Sequence, residues 1–174
     1  NCSNFNQDIS NWNTSNVTDM SHMLFGAVLF DKPIGSWDVS KVTNMSYMLA
    51  WAQVFNQDIS GWDTSSVTDM TGMLQYTYAF NQPIGSWDVS NVMTINEMFK
   101  YATAFNQDIN AWNVSKVYDM NNLFEYATAY DKAITGWCVP RIYSSPYIFA
   151  DGASLFTPDK HPVWGTCPRG ENLV

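Results

Sequence analysis

Asp or Asn recurs every 25 residues, each time followed two residues later by Ser, and this is the pattern in the chain that could do chemistry. The acidic or amide members are Asn13, Asp38, Asp63, Asp88 and Asn113, and the hydroxyl members are Ser15, Ser40, Ser65, Ser90 and Ser115. Carboxylate oxygens are ligands that Ca²⁺ prefers. On neighbouring strands about 4.8 Å apart, adjacent carboxylates would repel by about 1 kcal/mol in water. Two hypotheses follow: Asp38, Asp63 and Asp88 help to bind Ca²⁺ or a partner, or each is satisfied locally by Ser or backbone amides.

Catalytic patterns are missing from the rest of the sequence. The two histidines, His22 and His161, have no zinc-site spacing, and no Ser-His-Asp or Gly-rich phosphate pattern occurs. An enzyme would need one unit to differ from the others in order to build a unique site. The sequence therefore predicts no enzyme and no cofactor other than Ca²⁺.

A tryptophan column shows which elements must position these side chains. It recurs every 25 residues without insertion, at Trp12, Trp37, Trp62, Trp87, Trp112 and Trp137. Repeats of 20–50 residues indicate a solenoid or array. The spacing Ile-x-x-Trp-x-(Val/Thr)-x-x-Val matches a leucine-rich repeat with its final Asn replaced. We expect Trp-x-Val to form a short parallel strand with Trp inside and the Asp and Ser outside.

A short helix is expected in the second half of each unit. One column contains residues favoured at helix N-caps: Ser21, Ser46, Thr71, Asn96 and Asn121. The helix would be about six residues long, partly 3₁₀. The predicted fold is a right-handed α/β solenoid of the leucine-rich-repeat kind, with short parallel strands, short helices, about six 25-residue turns and a C-terminal cap.

Three further columns have assigned roles. The tryptophans are expected to pack in the core rather than stack on carbohydrate. An Asx column is suited to bonding its own backbone and is expected to form a structural ladder, at Asn6, Asp31, Asn56, Asn81, Asn106 and Asp131. Stacked hydroxyls at Thr14, Thr18, Thr43, Thr64 and Thr68 raise the alternative of an ice- or polysaccharide-binding surface.

The domain prediction is a repeat array over 1–139, a degenerate last turn and cap over 140–168, and a loose tail over 169–174. Because the first residues fall on the last columns of a unit, the array is expected to begin in mid-repeat, as part of a longer one, with Cys2 as a small core residue. Cys138 and Cys167 are expected to form a disulfide, the alternative being two free buried thiols. A disulfide implies an oxidising, extracellular setting.

Composition excludes several classes of partner. The 174 residues have a formal net charge of −8, with eight scattered cations, which argues against nucleic acid and anionic membranes. No apolar run reaches the roughly 18–20 residues that span a bilayer. No signal peptide is present in the sequence.

A family resemblance is carried by units such as Phe55-Asn-Gln-Asp-Ile-Ser-Gly-Trp-Asp-Thr-Ser-Ser-Val-Thr-Asp-Met and by the ending Pro162-Val-Trp-Gly-Thr-Cys-Pro. Over residues 1–168 the chain resembles the BspA-type leucine-rich-repeat surface proteins. The resemblance implies a cell-surface, non-catalytic adhesion domain that binds a protein or glycan, with no catalytic residues to transfer. We expect a monomer that binds through the strand face, the alternative being a passive spacer.

Glycosylation is a competing use of that face. The sequence has N-glycosylation sequons at Asn1, Asn13, Asn16, Asn44 and Asn113. Glycans on Asn13 or Asn113 would cover the predicted binding surface.

Overall fold

A computed structural model describes residues 3–168 as a stack of 25-residue units that begin at Phe5, Phe30, Phe55, Phe80, Phe105 and Tyr130. Successive first residues lie ring on ring, with centroids 5.8 to 6.2 Å apart. The 25-residue period of the sequence is therefore also the spatial period of the core. The described residues do not include Asn1, Cys2 or residues 169–174. The predictions of a core Cys2 and of a loose tail therefore lie outside the described residues.

Regular secondary structure is almost absent, so the prediction of an α/β solenoid is wrong. Within residues 3–168 there is no α-helix and no extended strand, and the only helix is a 3₁₀ turn at Pro158–Lys160. Single parallel bridges join successive units at Asp19↔Asn44, Asn44↔Asp69, Asp69↔Thr94 and Thr94↔Asp119. No described helix has the length and apolar character needed to cross a membrane.

The predicted helix is instead a ribbon of consecutive turns, which we call the turn ribbon (residues 20–27 and their equivalents 45–52, 70–77, 95–102 and 120–127). Alternate amides of the first ribbon, those of Met20, His22 and Leu24, donate to carbonyls of the next unit at 2.9 Å. The amides of Met23, Phe25 and Ala27 close turns onto the carbonyls three residues back. Positive φ at His22 (56°) and Gly26 (71°) repeats in the later units and prevents a continuous α-helix.

The predicted strand is also a chain of turns, because its backbone groups bond within the unit. The amide of Trp37 donates to the carbonyl of Ile34 at 3.1 Å, and the amide of Val42 donates to Val39 at 2.9 Å. Between them, Asp38 Oδ1 accepts the Ser40 amide at 3.0 Å. The ladder of backbone bonds between units therefore lies on the turn ribbon, where a helix was expected, and on the two residues just before it.

Burial of the apolar columns is confirmed. Trp37 and the four later tryptophans are 1–4% exposed, and each indole N–H donates to the carbonyl of an Ile in the preceding unit, at 2.9–3.2 Å. Trp12 is the exception, at 52% exposure. Thr14 and Thr64 also point inward, and their hydroxyls donate to the Asp38 and Asp88 carbonyls of the next unit.

The Asx column forms the expected structural ladder, but its members bond neighbouring units rather than their own backbone. The backbone amide of Asn56 donates to Asp31 Oδ1 at 3.0 Å, and the backbone amide of Asn81 donates to Asn56 Oδ1 at 3.0 Å. The same contact runs from Asn6 to Asp131. The column is thus a continuous side-chain ladder between units.

The last unit continues the stack with a shift of one residue. The Phe124 amide donates to Phe149, 25 positions on, where earlier ribbons bond 24 positions on. Pro146 lacks the amide that Ser21 and its equivalents donate to an Asx side chain, so Tyr147 donates to Asn121 Oδ1 instead. Phe156 then packs edge-on against Tyr130, and a Cys138–Cys167 disulfide links the end of the repeats to the cap.

Candidate functional site

Four aromatic side chains form a stacked line along the surface, which we call the aromatic row: Trp51, Tyr76, Tyr101 and Tyr126. Their ring centroids are 3.9, 4.7 and 4.6 Å apart in that order. Trp51 is 36% and Tyr126 43% exposed, and the two central tyrosines are partly exposed. Because neighbours cover the faces of the central rings, the row is exposed mainly at ring edges, and aromatic residues of this kind are common at interfaces.

The row is held in a costly backbone conformation. All four residues have φ between 54° and 65°, a region that costs an L-residue roughly 1–2 kcal/mol. Three stacked pairs return only about 0.5–1.5 kcal/mol each. Gly26 occupies the same column without that cost. Backbone strain of this kind clusters at functional sites and supports a hypothesis of function.

A polar network lies in the neighbouring columns of the turn ribbon. Tyr47 reaches across Gly72 and donates its hydroxyl to Glu97 Oε2, two units away, at 3.3 Å. Gln75 donates to the same oxygen at 2.9 Å. The pKa of Tyr47 is raised by burial and by the Glu97 carboxylate.

The network continues through Lys100 toward the last repeats. Lys100 Nζ lies 2.8 Å from Glu125 Oε2 and 3.7 Å from Glu97 Oε1. Asn122 Nδ2 donates to the same Glu125 oxygen at 2.8 Å. These residues differ from the other units, which the repeat pattern did not lead us to expect.

The predicted Asx–Ser ladder (Asn13, Asp38, Asp63, Asp88 and Asn113 with the Ser two residues on) is exposed on the surface, side by side in successive units. Every Oδ1 accepts the amide of its own Ser, at 2.9–3.2 Å. The hydroxyls of Ser40 and Ser65 also donate to their Asp at 2.6 Å. The geometry therefore agrees with the hypothesis that each Asp or Asn is hydrogen-bonded locally by Ser. Binding of Ca²⁺ or a partner by this ladder stays a prediction.

The pKa shifts of the ladder carboxylates agree with hydrogen bonding inside each unit. Hydrogen bonds from Ser40 and Ser90 lower the pKa of Asp38 and of Asp88. Within residues 3–168, no three His, Cys, Asp or Glu side chains are grouped so as to hold a metal ion. Calcium binding at Asp38, Asp63 and Asp88 therefore has no further geometric support.

The remaining candidates have structural partners. The hydroxyls of Thr43 and Thr68 donate to the Thr18 and Thr43 carbonyls at 3.1 and 3.0 Å. Thr14 and Thr64 are buried. A regular array of free threonine hydroxyls is thus not formed.

The two histidines lie far apart in different settings. His22 is exposed and packs against Tyr47, with centroids 5.1 Å apart. His161 lies in the cap between Phe156 and Phe149, and burial lowers its pKa.

Sequence reasoning missed the aromatic row, although one signal was present. The column Gly26, Trp51, Tyr76, Tyr101, Tyr126 has the 25-residue period but lies outside the apolar columns of the core. Glycine in register with aromatic residues indicates a positive φ shared by the column. The column was therefore readable as an exposed set of rings.

Comparison with known proteins gives a family and no named relative. A family model described as "Mycoplasma protein of unknown function, DUF285" matches residues 1–73 and 57–161. No curated protein and no solved structure matches the chain significantly.

Proposed function

Since the chain belongs to the DUF285 family, whose description assigns no function, we propose from its geometry that it is a non-catalytic recognition domain. It binds a protein or glycan on another cell or matrix, and the aromatic row is its contact surface. The observation that carries the proposal is that Trp51, Tyr76 and Tyr101 keep stacked, at least partly exposed rings at a strained backbone.

The chemistry of the row suits contact with a macromolecule. Tyrosine and tryptophan supply large rigid contact areas at a low cost in side-chain entropy. Lys100 and Glu125 lie close by and provide charges that could fix the orientation of a partner. The row is a continuous surface, whereas a catalytic site would need a converging pocket.

An extracellular location is part of the proposal. The Cys138–Cys167 disulfide favours an oxidising compartment. The resemblance of the repeats to BspA-type surface proteins points the same way and implies adhesion.

The test uses two triple variants of the full chain. In the first, Trp51→Asn, Tyr76→Asn and Tyr101→Asn remove the rings but keep a residue that accepts positive φ, as Asn122 does. The matched control changes Asp38, Asp63 and Asp88 to Ser on the Asx–Ser ladder. Both are assayed on arrays of matrix proteins and glycans, with circular dichroism to check folding.

We expect the aromatic variant to lose binding and the ladder variant to keep it. The reverse result would move the contact surface to the ladder. A wild-type chain that binds nothing on either array would contradict recognition and favour a passive spacer.

A further inference from the structure

The bridge ladder between units stops at the fifth unit and leaves two backbone groups unpaired. In the first four units, the carbonyl at Thr18, Thr43, Thr68 or Met93 accepts an amide of the next unit at 2.8–2.9 Å. The amide two residues on donates to the next unit at 2.9–3.1 Å. In the fifth unit these groups are the Tyr118 carbonyl and the Met120 amide, and neither has a hydrogen-bond partner among the described residues.

The one-residue shift of the last unit causes this break. Pro146 cannot supply the amide of the repeated Asx turn. Residues 143–146 consequently leave the ladder, and Tyr143 is 84% exposed. Pairing resumes at the bond from Asn122 to Tyr147.

A groove of about 240 Å³ lies at the break, which we call the break groove. Tyr118, Met120, Arg141, Tyr143 and Tyr147 are among the residues that line it. Tyr147 is 72% exposed. The residues that carry the unpaired acceptor and the unpaired donor, Tyr118 and Met120, therefore both line the groove, two positions apart in the chain.

We propose that the break groove binds an extended peptide segment of a partner protein, in parallel register with residues 118–120. The peptide takes the place that the next unit occupies elsewhere in the stack. One of its amides donates to the Tyr118 carbonyl, and the carbonyl of its following residue accepts the Met120 amide. This is strand addition at an open edge.

The occupant is specified by the register and by charge. Residues at the bridge position in the ladder are short and polar: Asn44, Asp69, Thr94 and Asp119. The groove is lined by one cation, Arg141, and one anion, Asp119. Because every Asp in the ladder faces a neutral residue, a segment with Thr followed by Asn fits opposite Asp119, and the chain itself contains one at Thr43-Asn44.

The test is a titration of the full ¹⁵N-labelled chain with a capped heptapeptide that copies Lys41–Tyr47. We expect a saturable change in the Met120 amide resonance and hydrogen exchange at that amide slowed at least about tenfold at saturation. The peptide methylated on the Thr43 nitrogen cannot donate to Tyr118 and should bind about tenfold more weakly. The control carries its methyl on the Val42 nitrogen, whose amide bonds inside its own unit in the ladder.

A protein variant tests the groove from the other side. Deleting Ser145 together with Pro146→Ser restores the 25-residue length and the missing amide. Met120 exchange should then be slow without peptide, and the response to peptide should disappear.

Several outcomes would overturn the proposal. They are no response at 5 mM peptide, equal binding of the two methylated peptides, or a response confined to the aromatic row. Concentration-dependent dimerisation that protects Met120 without peptide would instead assign the groove to a second copy. The aromatic row has no part in the peptide-binding proposal. The failure of this proposal can therefore be distinguished from the failure of the proposed recognition function.

Discussion

Replacing Gly72 by alanine tests whether the Tyr47–Glu97 contact depends on a missing side chain. Gly72 has φ +57°, and an added Cβ would collide with the Tyr47 ring that crosses it. The left-handed conformation costs alanine roughly 1–2 kcal/mol. Moving Tyr47 also breaks its bond to the Glu97 carboxylate, worth about 1–2 kcal/mol at this partly buried position.

The free energy of unfolding should therefore fall by about 2–4 kcal/mol in Gly72→Ala. For a chain of this size the corresponding fall in Tm is roughly 4–16 °C. The matched control is Gly61→Ala, whose Cβ would meet nothing within 4 Å. That change should be neutral, or stabilise by up to about 1 kcal/mol through the unfolded state.

A double-mutant cycle with Tyr47→Asn separates the two causes. Without the tyrosine ring, Gly72→Ala should cost only the conformational part, about 1–2 kcal/mol. Urea unfolding followed by tryptophan fluorescence measures each corner of the cycle. Equal costs of Gly72→Ala in the two backgrounds would refute the steric explanation.

Three other perturbations have expected outcomes. Burial holds the pKa of His161 below its usual 6.5, so as pH falls the unfolded chain binds the proton before the folded chain does. The free energy of unfolding should therefore fall as pH drops below 6.5. His161→Gln should remove this difference when urea unfolding is measured at pH 5 and at pH 7.5. Asp38 and Asp88 have pKa values lowered from 3.8, so their contribution to stability is present above pH 3.8 and is lost as pH falls through the folded-state pKa values. Changing both to Asn should reduce the fall of Tm with pH on the acid side in a series of thermal melts. Tm at pH 7 should stay almost unchanged, because the Asn side-chain oxygen accepts the same Ser amide. The Cys138–Cys167 bond spans 29 residues, so changing both to Ser should cost roughly 3–4 kcal/mol, and a calorimetric loss much smaller than this would show that the cap holds without it.

The period and the core were predictable because burial follows hydrophobicity in a fixed register. Trp37 and Val39, which were placed inside, are at most 4% exposed, and the depth of their equivalents followed everywhere except at Trp12. The disulfide was predictable because the two late cysteines are near each other in sequence. These inferences need only a count along the chain.

The local backbone was not predictable from the same pattern. Leucine-rich-repeat spacing fixes which side chains face inward, but several backbone paths satisfy it. The path taken needs positive φ at His22, Tyr47 and Glu97, residue types that give no warning of it. Gly72 and Asn122 in the same column were the available signal, and reading them together would have argued against a helix.

Main-chain pairing and variable side chains meet on the turn ribbon. Its amides bond the next unit whatever the side chain, so the column of His22, Tyr47, Gly72, Glu97 and Asn122 can change chemistry without loss of stacking. Residues with φ above zero project their side chains from that ladder while their backbone amides remain bonded to it. A rigid element that holds interchangeable groups is what a recognition surface requires. Recognition on this chain is therefore expected along the turn ribbon and at its break, where the backbone that couples the units is also the backbone that displays the side chains.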